Sequence, residues 1–463
     1  MQKGCVRILA AVTLGILGVA VADMTPEEEL RLKALEEQMD YLRGKAEKKD
    51  DKNGMPLRLF YKDGLKFKSD DGNFDLSVGG RIIESGRFFT ESNPNKDTFY
   101  NKETQIEMKG KIFKQFKYEF EGNFAGTTAS MNNSFVEYEH EEWFGVKVGQ
   151  FKQPFLYEET NSTLWRDCVE KSIATKLAPS RDIGVQISGK VMEKRIGYEV
   201  AYFNGNGKNA AAAPAGDAND DKDWAFRLTF APWAPEKESA LNKLLFWGMG
   251  TWGRQDNVAA SSFSTTDTGL TFLTFPATTL NSEDRSRLGY GASYLNGRAK
   301  FMGEFVSMTQ DLRRTGSSGP LGLDNENPNT RFDAWYVTFG WMLSGEDAVI
   351  NSRVVPAKSF GKVGGGSGAW ELIARLSGFN AEREPFYNLD KQYASAPQPT
   401  ETGVGSSTSL DAWQIGLNWT PISNARVMLD YGENAYGADY IGTVGADVRK
   451  QERFVMLSTQ FDF

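Results

Sequence analysis

Apolar and polar residues alternate along most of the chain from residue 55 onward. In segment 103–113, Ile106 and Met108 lie on one face of an extended chain, and Lys109 and Lys111 lie on the other. Strict alternation is typical of a β-strand whose two faces meet different surroundings. Sixteen such segments predict sixteen strands, at residues 74–88, 103–113, 116–126, 133–141, 144–151, 182–191, 195–203, 223–231, 244–253, 286–295, 298–308, 331–343, 368–379, 410–419, 424–432 and 452–463.

The predicted connections differ in length between the two ends of the strands. After odd-numbered strands they are mostly long, and after even-numbered strands they are mostly short, with 232–243 and 344–367 as exceptions. Long loops at one end and tight turns at the other are typical of outer-membrane β-barrels. The even number of strands also brings both ends of the chain to one side of a membrane.

Charged residues recur on the polar face of the predicted strands: Lys109, Lys111, Arg227, Arg298, Lys300, Glu304 and Arg375. Sixteen strands enclose a lumen too wide for side chains to fill, so charges can face it where it holds water. The apolar face then meets lipid, where every backbone group must pair within a closed sheet. The sequence therefore predicts an all-β fold over residues 55–463, a 16-stranded antiparallel transmembrane β-barrel whose last strand pairs with the first.

The N-terminus predicts export from the cytoplasm. Lys3 and Arg7 precede an apolar stretch that ends in the small residues Ala20 and Ala22, which is the pattern of a signal peptide over residues 1–22. A transmembrane anchor is the alternative interpretation, but the apolar run is short for a helix that spans a bilayer.

Residues 23–54 predict a short periplasmic helix and a linker. Four apolar residues follow the 3-4-3 spacing of a coiled-coil seam: Leu32, Leu35, Met39 and Leu42. Two heptads are too short to be stable alone. Three interpretations stay open: a coiled coil that helps the chain to trimerise, a tether to a partner in the cell envelope, and a solvated amphipathic helix.

Charge and residue counts exclude several functions. The net charge is -8, and loss of Lys3 and Arg7 with the signal peptide leaves -10, which disfavours a nucleic-acid partner. Cys168 is then the single cysteine, so no intrachain disulfide can form. His140 is the single histidine, which disfavours histidine-based metal sites and catalytic triads. We expect no metal and no cofactor.

Several motifs resemble those of the phosphate-selective porin O and P family. They occur in the family's order: "YKDGLKFKSDDGNFDLSVGGRI" at 61–82, "VGQFKQPF" at 148–155, "APSRDIGVQISG" at 178–189, "YFNGNG" at 202–207, "WYVTFGWMLSGED" at 335–347 and "GAWELIARLSGFN" at 368–380. The resemblance implies a trimeric outer-membrane porin of sixteen strands, embedded in outer-membrane lipid. It also implies that the terminal aromatic Phe463 serves as an assembly signal.

Connection 152–181 is the candidate constriction, because the corresponding loop of similar porins folds into the lumen. Its part 164–178 has helical character, and its charges nearly balance. Cations in a narrow pore lower the barrier for anions, and an arginine fork suits phosphate. The candidate pore-lining and anion-binding residues are Arg166, Lys171, Lys176 and Arg181 in the loop, with Arg81, Arg227 and Arg375 on the wall. For each, a local ion pair is the alternative, such as Arg166 with Glu170 or Arg181 with Asp182.

The sequence thus predicts an outer-membrane channel for passive diffusion of small solutes, namely small anions such as phosphate. A non-selective or cation-preferring porin and a structural barrel that tethers the envelope are the alternatives. An outer-membrane enzyme is disfavoured, because His140 is predicted near the periplasmic end of its strand, away from an outer-face active site.

Overall fold

A computed structural model describes residues 33, 36–39, 56–90, 95–209, 220–275, 279–314, 329–361, 365–382, 406–437, 440–441 and 451–463. Within these ranges sixteen antiparallel strands close into a barrel. They are β1 (Phe74–Phe89), β2 (Thr98–Ile112), β3 (Phe116–Asn123), β4 (Ser130–Glu141), β5 (Phe144–Lys152), β6 (Arg181–Val191), β7 (Ile196–Phe203), β8 (Asp223–Phe230), β9 (Leu245–Ala259), β10 (Thr279–Asn296), β11 (Ala299–Arg314), β12 (Asn329–Met342), β13 (Ala369–Ala381), β14 (Ser409–Ile422), β15 (Ala425–Tyr436) and β16 (Gln451–Asp462). The predicted strand number and order are confirmed.

The barrel closes where β16 pairs with β1. Asp462 lies opposite Arg81, and the Phe463 N–H donates to the Gly80 carbonyl at 3.0 Å, while the Gly80 N–H donates back at 2.9 Å. Closure pairs the backbone groups that an open sheet would leave free, as a lipid environment requires. The Phe463 ring lies beside Phe461, with ring centroids 6.4 Å apart.

The two faces of the wall follow the predicted alternation. Ile106 and Phe120 are each 46% exposed on the outer face, whereas Lys109 lines the inner cavity. The strands β9 to β11 run further than predicted at their extracellular ends. For example, β10 begins at Thr279 rather than at residue 286. Residues 281–285 are polar on both faces, so alternation gives no signal there.

A short hairpin before the barrel was not predicted as a separate element. Its strands, Leu57–Tyr61 and Leu65–Ser69, pair with each other. The second strand also pairs with β1, from Leu65 opposite Val78 to Lys68 opposite Asp75. β16 pairs with the same edge of β1 from Arg81 onward. The hairpin strand therefore occupies the part of that edge that precedes Gly80. The N-terminal hairpin therefore covers the exposed edge of the first strand.

The predicted N-terminal segment lies almost wholly outside the described residues. Residues 33 and 36–39 are helical and exposed, and Met39 is 60% exposed. The signal peptide and the other seam residues, Leu32, Leu35 and Leu42, fall outside the described ranges, so the coiled coil stays a prediction. No helix in the described part of the chain has the length and apolar character needed to span a bilayer.

We predict that Gly80→Val weakens barrel closure. A Cβ atom at Gly80 would lie 2.6 Å from the Gln105 carbonyl oxygen and 2.7 Å from the Phe463 ring, so the seam must shift. Overpacking of this kind costs about 1–3 kcal/mol. The folded barrel should lose its compact gel mobility at a lower temperature in detergent. Gly248→Val is the control, because a Cβ there meets nothing within 4 Å. Equal unfolding temperatures for the two variants would contradict the prediction.

Candidate functional site

The loop that joins β5 to β6, residues 153–180, folds into the barrel. It holds one short helix, α1 (Tyr157–Thr160), and 3₁₀ turns at Thr163–Trp165 and Ile173–Lys176. The prediction of helical character across 164–178 is therefore only partly right, since residues 166–172 are not helical. The physical reason is that backbone N–H groups in this stretch donate to side-chain carboxylates rather than to the carbonyls of a helix. The Val169 N–H donates to Asp430 at 2.6 Å and the Ser172 N–H to Glu158 at 2.9 Å.

The β5–β6 loop packs against one side of the inner wall through apolar side chains. Phe155, Leu156, Ile173 and Leu177 are at most 2% exposed and belong to the main apolar cluster of the protein. Wall residues in the same cluster include Met302, Val306, Ala334 and Tyr336. Each fully buried side chain of this size contributes roughly 1.5–3 kcal/mol. The loop is thus held as a packed layer on strands β11 and β12.

Glu304 of β11 fixes the start of helix α1. Its buried carboxylate accepts four hydrogen bonds: from the backbone N–H groups of Tyr157 (2.7 Å) and Glu158 (3.0 Å), from Trp247 Nε1 (2.9 Å) and from the Tyr336 hydroxyl (2.7 Å). A buried carboxylate is tolerated when its acceptor positions are filled in this way. Glu304 therefore joins the β5–β6 loop to three wall strands.

The loop that joins β9 to β10, described at residues 260–275, also enters the barrel. Its short strands Phe263–Ser264 and Thr271–Leu273 pair with each other. Phe263 packs against Phe379 in a tilted arrangement with ring centroids 4.9 Å apart, and Phe272 meets the same ring edge-on at 5.2 Å. The alternation pattern predicts only a long loop for this connection. The apolar run "LTFLTF" at 270–275 is the signal that could have revealed its burial.

The two loops fill one side of the lumen and leave water-accessible space on the other. The remaining cavity has a volume of about 1120 Å³ and lies between the β5–β6 loop and the inner face of β1 to β5. The expectation that wall charges face water is wrong for Lys300, Glu304 and Arg375, which are each 3% exposed beneath the loops. Lys300 instead pairs with Asp167 at 2.6 Å and with Glu371 at 2.7 Å.

Three predicted arginines line the cavity but are already paired. Arg81 contacts Glu103 at 3.1 Å and Glu121 at 3.0 Å. Arg181 pairs with Glu121 at 3.3 Å, rather than with Asp182 as the alternative interpretation supposed. Arg166 lies 3.8 Å from Glu170, which is the ion pair that the sequence suggested.

Two predicted wall arginines lie behind the β5–β6 loop and do not line the cavity. Arg227 pairs with Glu199 at 2.6 Å and donates to the Phe155 carbonyl at 2.9 Å. Arg375 pairs with Glu158 at 3.3 Å and donates to the Glu170 carbonyl at 2.9 Å. Both therefore hold the loop in place. Alternation placed them on the inner face, but it could not show that the loop covers them.

The predicted lysines of the loop both line the cavity. Lys171 pairs with Glu159 at 2.6 Å. Lys176 is exposed, and no carboxylate of the described residues lies within ion-pair distance of it. Lys66, Lys102 and Lys152 also line the cavity and were not among the predicted residues. Lys152 donates to the Asn161 carbonyl at 2.8 Å and has no carboxylate partner in the described part of the chain.

The cavity lining carries more cationic side chains than carboxylates. Ten lysines and arginines and eight aspartates and glutamates contribute to it. Seven of the carboxylates are ion-paired, and Glu119 is not; it accepts a hydrogen bond from Asn133. Three cations have no carboxylate partner within the described ranges: Lys66, Lys152 and Lys176.

Partial or full desolvation shifts the pKa values of several ionisable groups in the two inner loops. Neighbouring loop atoms partly desolvate the exposed Lys176 ammonium and lower its pKa. Burial raises the pKa of Asp267 to about 7, although the Arg375 charge acts in the opposite direction. Burial would raise the pKa of Glu170, but the charges of Lys102 and Arg166 bring it below its usual value. The loops therefore hold their charges in a partly desolvated environment.

Two further residues singled out by the sequence have no role in the cavity. The His140 Nδ1 lies 3.1 Å from the Tyr138 hydroxyl at the end of β4. Cys168 is buried, and burial raises the pKa of its thiol, so it behaves as a small apolar side chain. Across the described ranges, no group of three or more His, Cys, Asp or Glu side chains could hold a metal ion.

We predict that Glu304→Ala loosens the β5–β6 loop. The change leaves four buried donors without an acceptor, and each unmade bond costs about 1–3 kcal/mol. In planar bilayers, the ionic current through the purified protein should become noisier, and the channel should stop conducting at a lower voltage. Glu283→Gln is the control, because Glu283 is exposed. Current traces of Glu304→Ala that match those of the control would rule out the anchoring role.

Comparisons with known proteins agree with this geometry. The family model described as phosphate-selective porin O and P matches residues 77–463. Porin O of Pseudomonas aeruginosa is 22% identical over 395 residues, which cover 79% of this chain and 84% of that protein. The crystal structure of the outer membrane channel DcaP of Acinetobacter baumannii aligns with a TM-score of 0.53 at 12% identity, covering 86% of this chain and 99% of that one.

The family match extends over most of the barrel, and the similarity to DcaP shows the same fold. The enclosed cavity, the inner loops and the closed sheet are the parts that a diffusion channel requires. The chain therefore belongs to the phosphate-selective porin O and P family and forms a non-enzymatic porin channel of the outer membrane.

Proposed function

We propose that this porin conducts small anions by passive diffusion, with a modest preference over cations and with phosphate among its solutes. The observation that carries the proposal is the excess of unpaired cations in the cavity lining. Lys152 and Lys176, on or beside the β5–β6 loop, lack carboxylate partners in the described part of the chain, whereas nearly every carboxylate of the lining is neutralised. Unpaired charges determine the field that a diffusing ion meets.

The same contacts argue against a dedicated high-affinity phosphate site. Arginine recognises phosphate through paired donors, but Arg81, Arg166 and Arg181 already contact carboxylates. A phosphate ion would have to displace these partners. The lysines act as point charges with weaker geometric selectivity. Weak interactions in series suit a channel, because a solute must leave as readily as it enters.

We also propose that the porin is a homotrimer and that residues 23–54 form a periplasmic helix and linker after a cleaved signal peptide. The resemblance to the family supports the trimer, and the 3-4-3 spacing of apolar residues supports the helix.

We predict that Lys176→Gln and Lys152→Gln each reduce the chloride preference. A charge about 10 Å from the ion path in water contributes ~0.4 kcal/mol, or about twofold for each permeating ion. The chloride-to-potassium permeability ratio should therefore fall about two- to fourfold. The measurement is the zero-current potential across a bilayer in a KCl gradient at low salt, where screening is weakest.

Lys237→Gln is the matched control for these variants, since Lys237 lies in the turn between β8 and β9 and does not line the cavity. It should leave the zero-current potential unchanged. A parent protein that prefers potassium to chloride would overturn the proposed function. Half-block of the chloride current by micromolar phosphate would instead show a dedicated phosphate site.

We predict that deletion of residues 23–54, with the signal peptide retained, lowers the temperature at which trimers dissociate on a semi-native gel. The expected reason is loss of a short coiled-coil seam. Conductance per barrel should persist. Lys33→Gln in the full chain serves as the control, because residue 33 is exposed. Unchanged trimer stability with impaired envelope integrity would favour the tether interpretation instead.

A further inference from the structure

An apolar patch interrupts the polar lining of the cavity. Leu164 and Trp165 of the β5–β6 loop contribute to it, together with Val355 from the turn between β12 and β13. Val355 is 65% exposed. When a solute covers apolar side chains that face water in a channel, the free energy of the system falls, because apolar surface is removed from water.

Neighbouring contacts hold the patch in a fixed position. The Trp165 N–H donates to the Ser162 carbonyl at 3.0 Å, and the Leu164 N–H donates to the Ser162 hydroxyl at 3.3 Å. The Arg353 guanidinium lies 5.5 Å from the centre of the Trp165 ring. Arg353 is itself fixed by an ion pair with Asp63 at 2.7 Å and by a second ion pair with Asp462. A patch ordered in advance costs a ligand little ordering entropy.

Cationic side chains lie beside the patch, but most of them are already paired. A small recess next to Leu164 and Trp165 is lined by Arg353 and Arg426. Arg426 lies 3.4 Å from the Glu371 carboxylate and donates to the Arg166 carbonyl at 2.6 Å. In the main cavity, Lys66 adds a cation that has no carboxylate partner there. An anionic group and an apolar group of one solute would therefore both find complementary surface.

We propose that the channel selects small organic anions that carry an aromatic or aliphatic group, such as an aromatic monocarboxylate, over inorganic phosphate. The proposal rests on the anion-conducting function proposed above and specifies its solute class. The apolar group covers Trp165, Leu164 and Val355, while the carboxylate lies near Lys66, a cavity-lining cation with no carboxylate partner among the described residues. Inorganic phosphate has no apolar surface to bury, and the cavity-lining arginines that could bind it are occupied by carboxylates.

The experiment measures block of chloride current by added anions in planar bilayers. Sodium benzoate, sodium acetate and sodium phosphate are compared at equal ionic strength with the full-length mature protein. Benzoate should half-block the current at a concentration about tenfold lower than acetate, which corresponds to about 1.4 kcal/mol. Trp165→Ala should bring the benzoate value close to the acetate value, scored in channels that still conduct chloride.

Controls separate the patch from general effects of the substitution. Trp143→Ala removes an exposed tryptophan at the turn between β4 and β5, outside the cavity, and should leave the benzoate block unchanged. If Trp165→Ala does not fold, Val355→Ser removes apolar surface at an exposed turn and should weaken the block, whereas Trp165→Phe should retain most of it.

The outcomes distinguish the two proposals. If chloride is preferred but benzoate blocks no better than acetate, the solute class proposed here is wrong and the anion channel stands. If potassium is preferred in the KCl gradient, the proposed function itself fails. Benzoate block that survives both Trp165→Ala and Val355→Ser would place the binding surface elsewhere and overturn the assignment of the patch.

Discussion

The width of the lumen is the constraint on which the rest of this structure depends. A sheet in lipid must close on itself so that its backbone groups are paired, and sixteen strands close around a space that wall side chains cannot fill. The space must be filled by water or by other parts of the chain. Here the β5–β6 and β9–β10 loops fill one side as a packed apolar layer. The pore is what these loops leave open, so its dimensions depend on loop packing as much as on the wall.

Burial beneath the loops explains which charged groups hold the structure together and which act on a diffusing solute. Charged groups removed from water must be paired or hydrogen-bonded. Lys300, Arg227 and Arg375 follow this rule, and each fastens the β5–β6 loop to the wall or to a carboxylate beside it. The net charge of the wall therefore says little about selectivity. Only groups that remain unpaired next to water, such as Lys176, contribute to the field that a solute meets.

The barrel could be predicted from the sequence because its pattern is local. Alternation across segments such as 103–113 located all sixteen strands, and loop lengths assigned the two ends. The start of β10 was missed, since residues 281–285 are polar on both faces. The pairing of Arg81 and Arg181 with Glu121 could not be foreseen, because the three residues lie on separate strands. Such pairings depend on strand register and loop position, which residue patterns do not encode.

The N-terminal hairpin restricts the shear number of the barrel, which is the stagger between strands on closure. Phe463 reaches Gly80 on β1, and Leu65 of the hairpin already occupies the position opposite Val78. Only Gly79 separates them, so β16 cannot slide two residues toward the periplasm without expelling Leu65. A slip in the opposite direction would leave backbone amides unpaired at the seam. The hairpin thus acts as a mechanical stop, which gives the closing strand a single stagger and the barrel a single diameter.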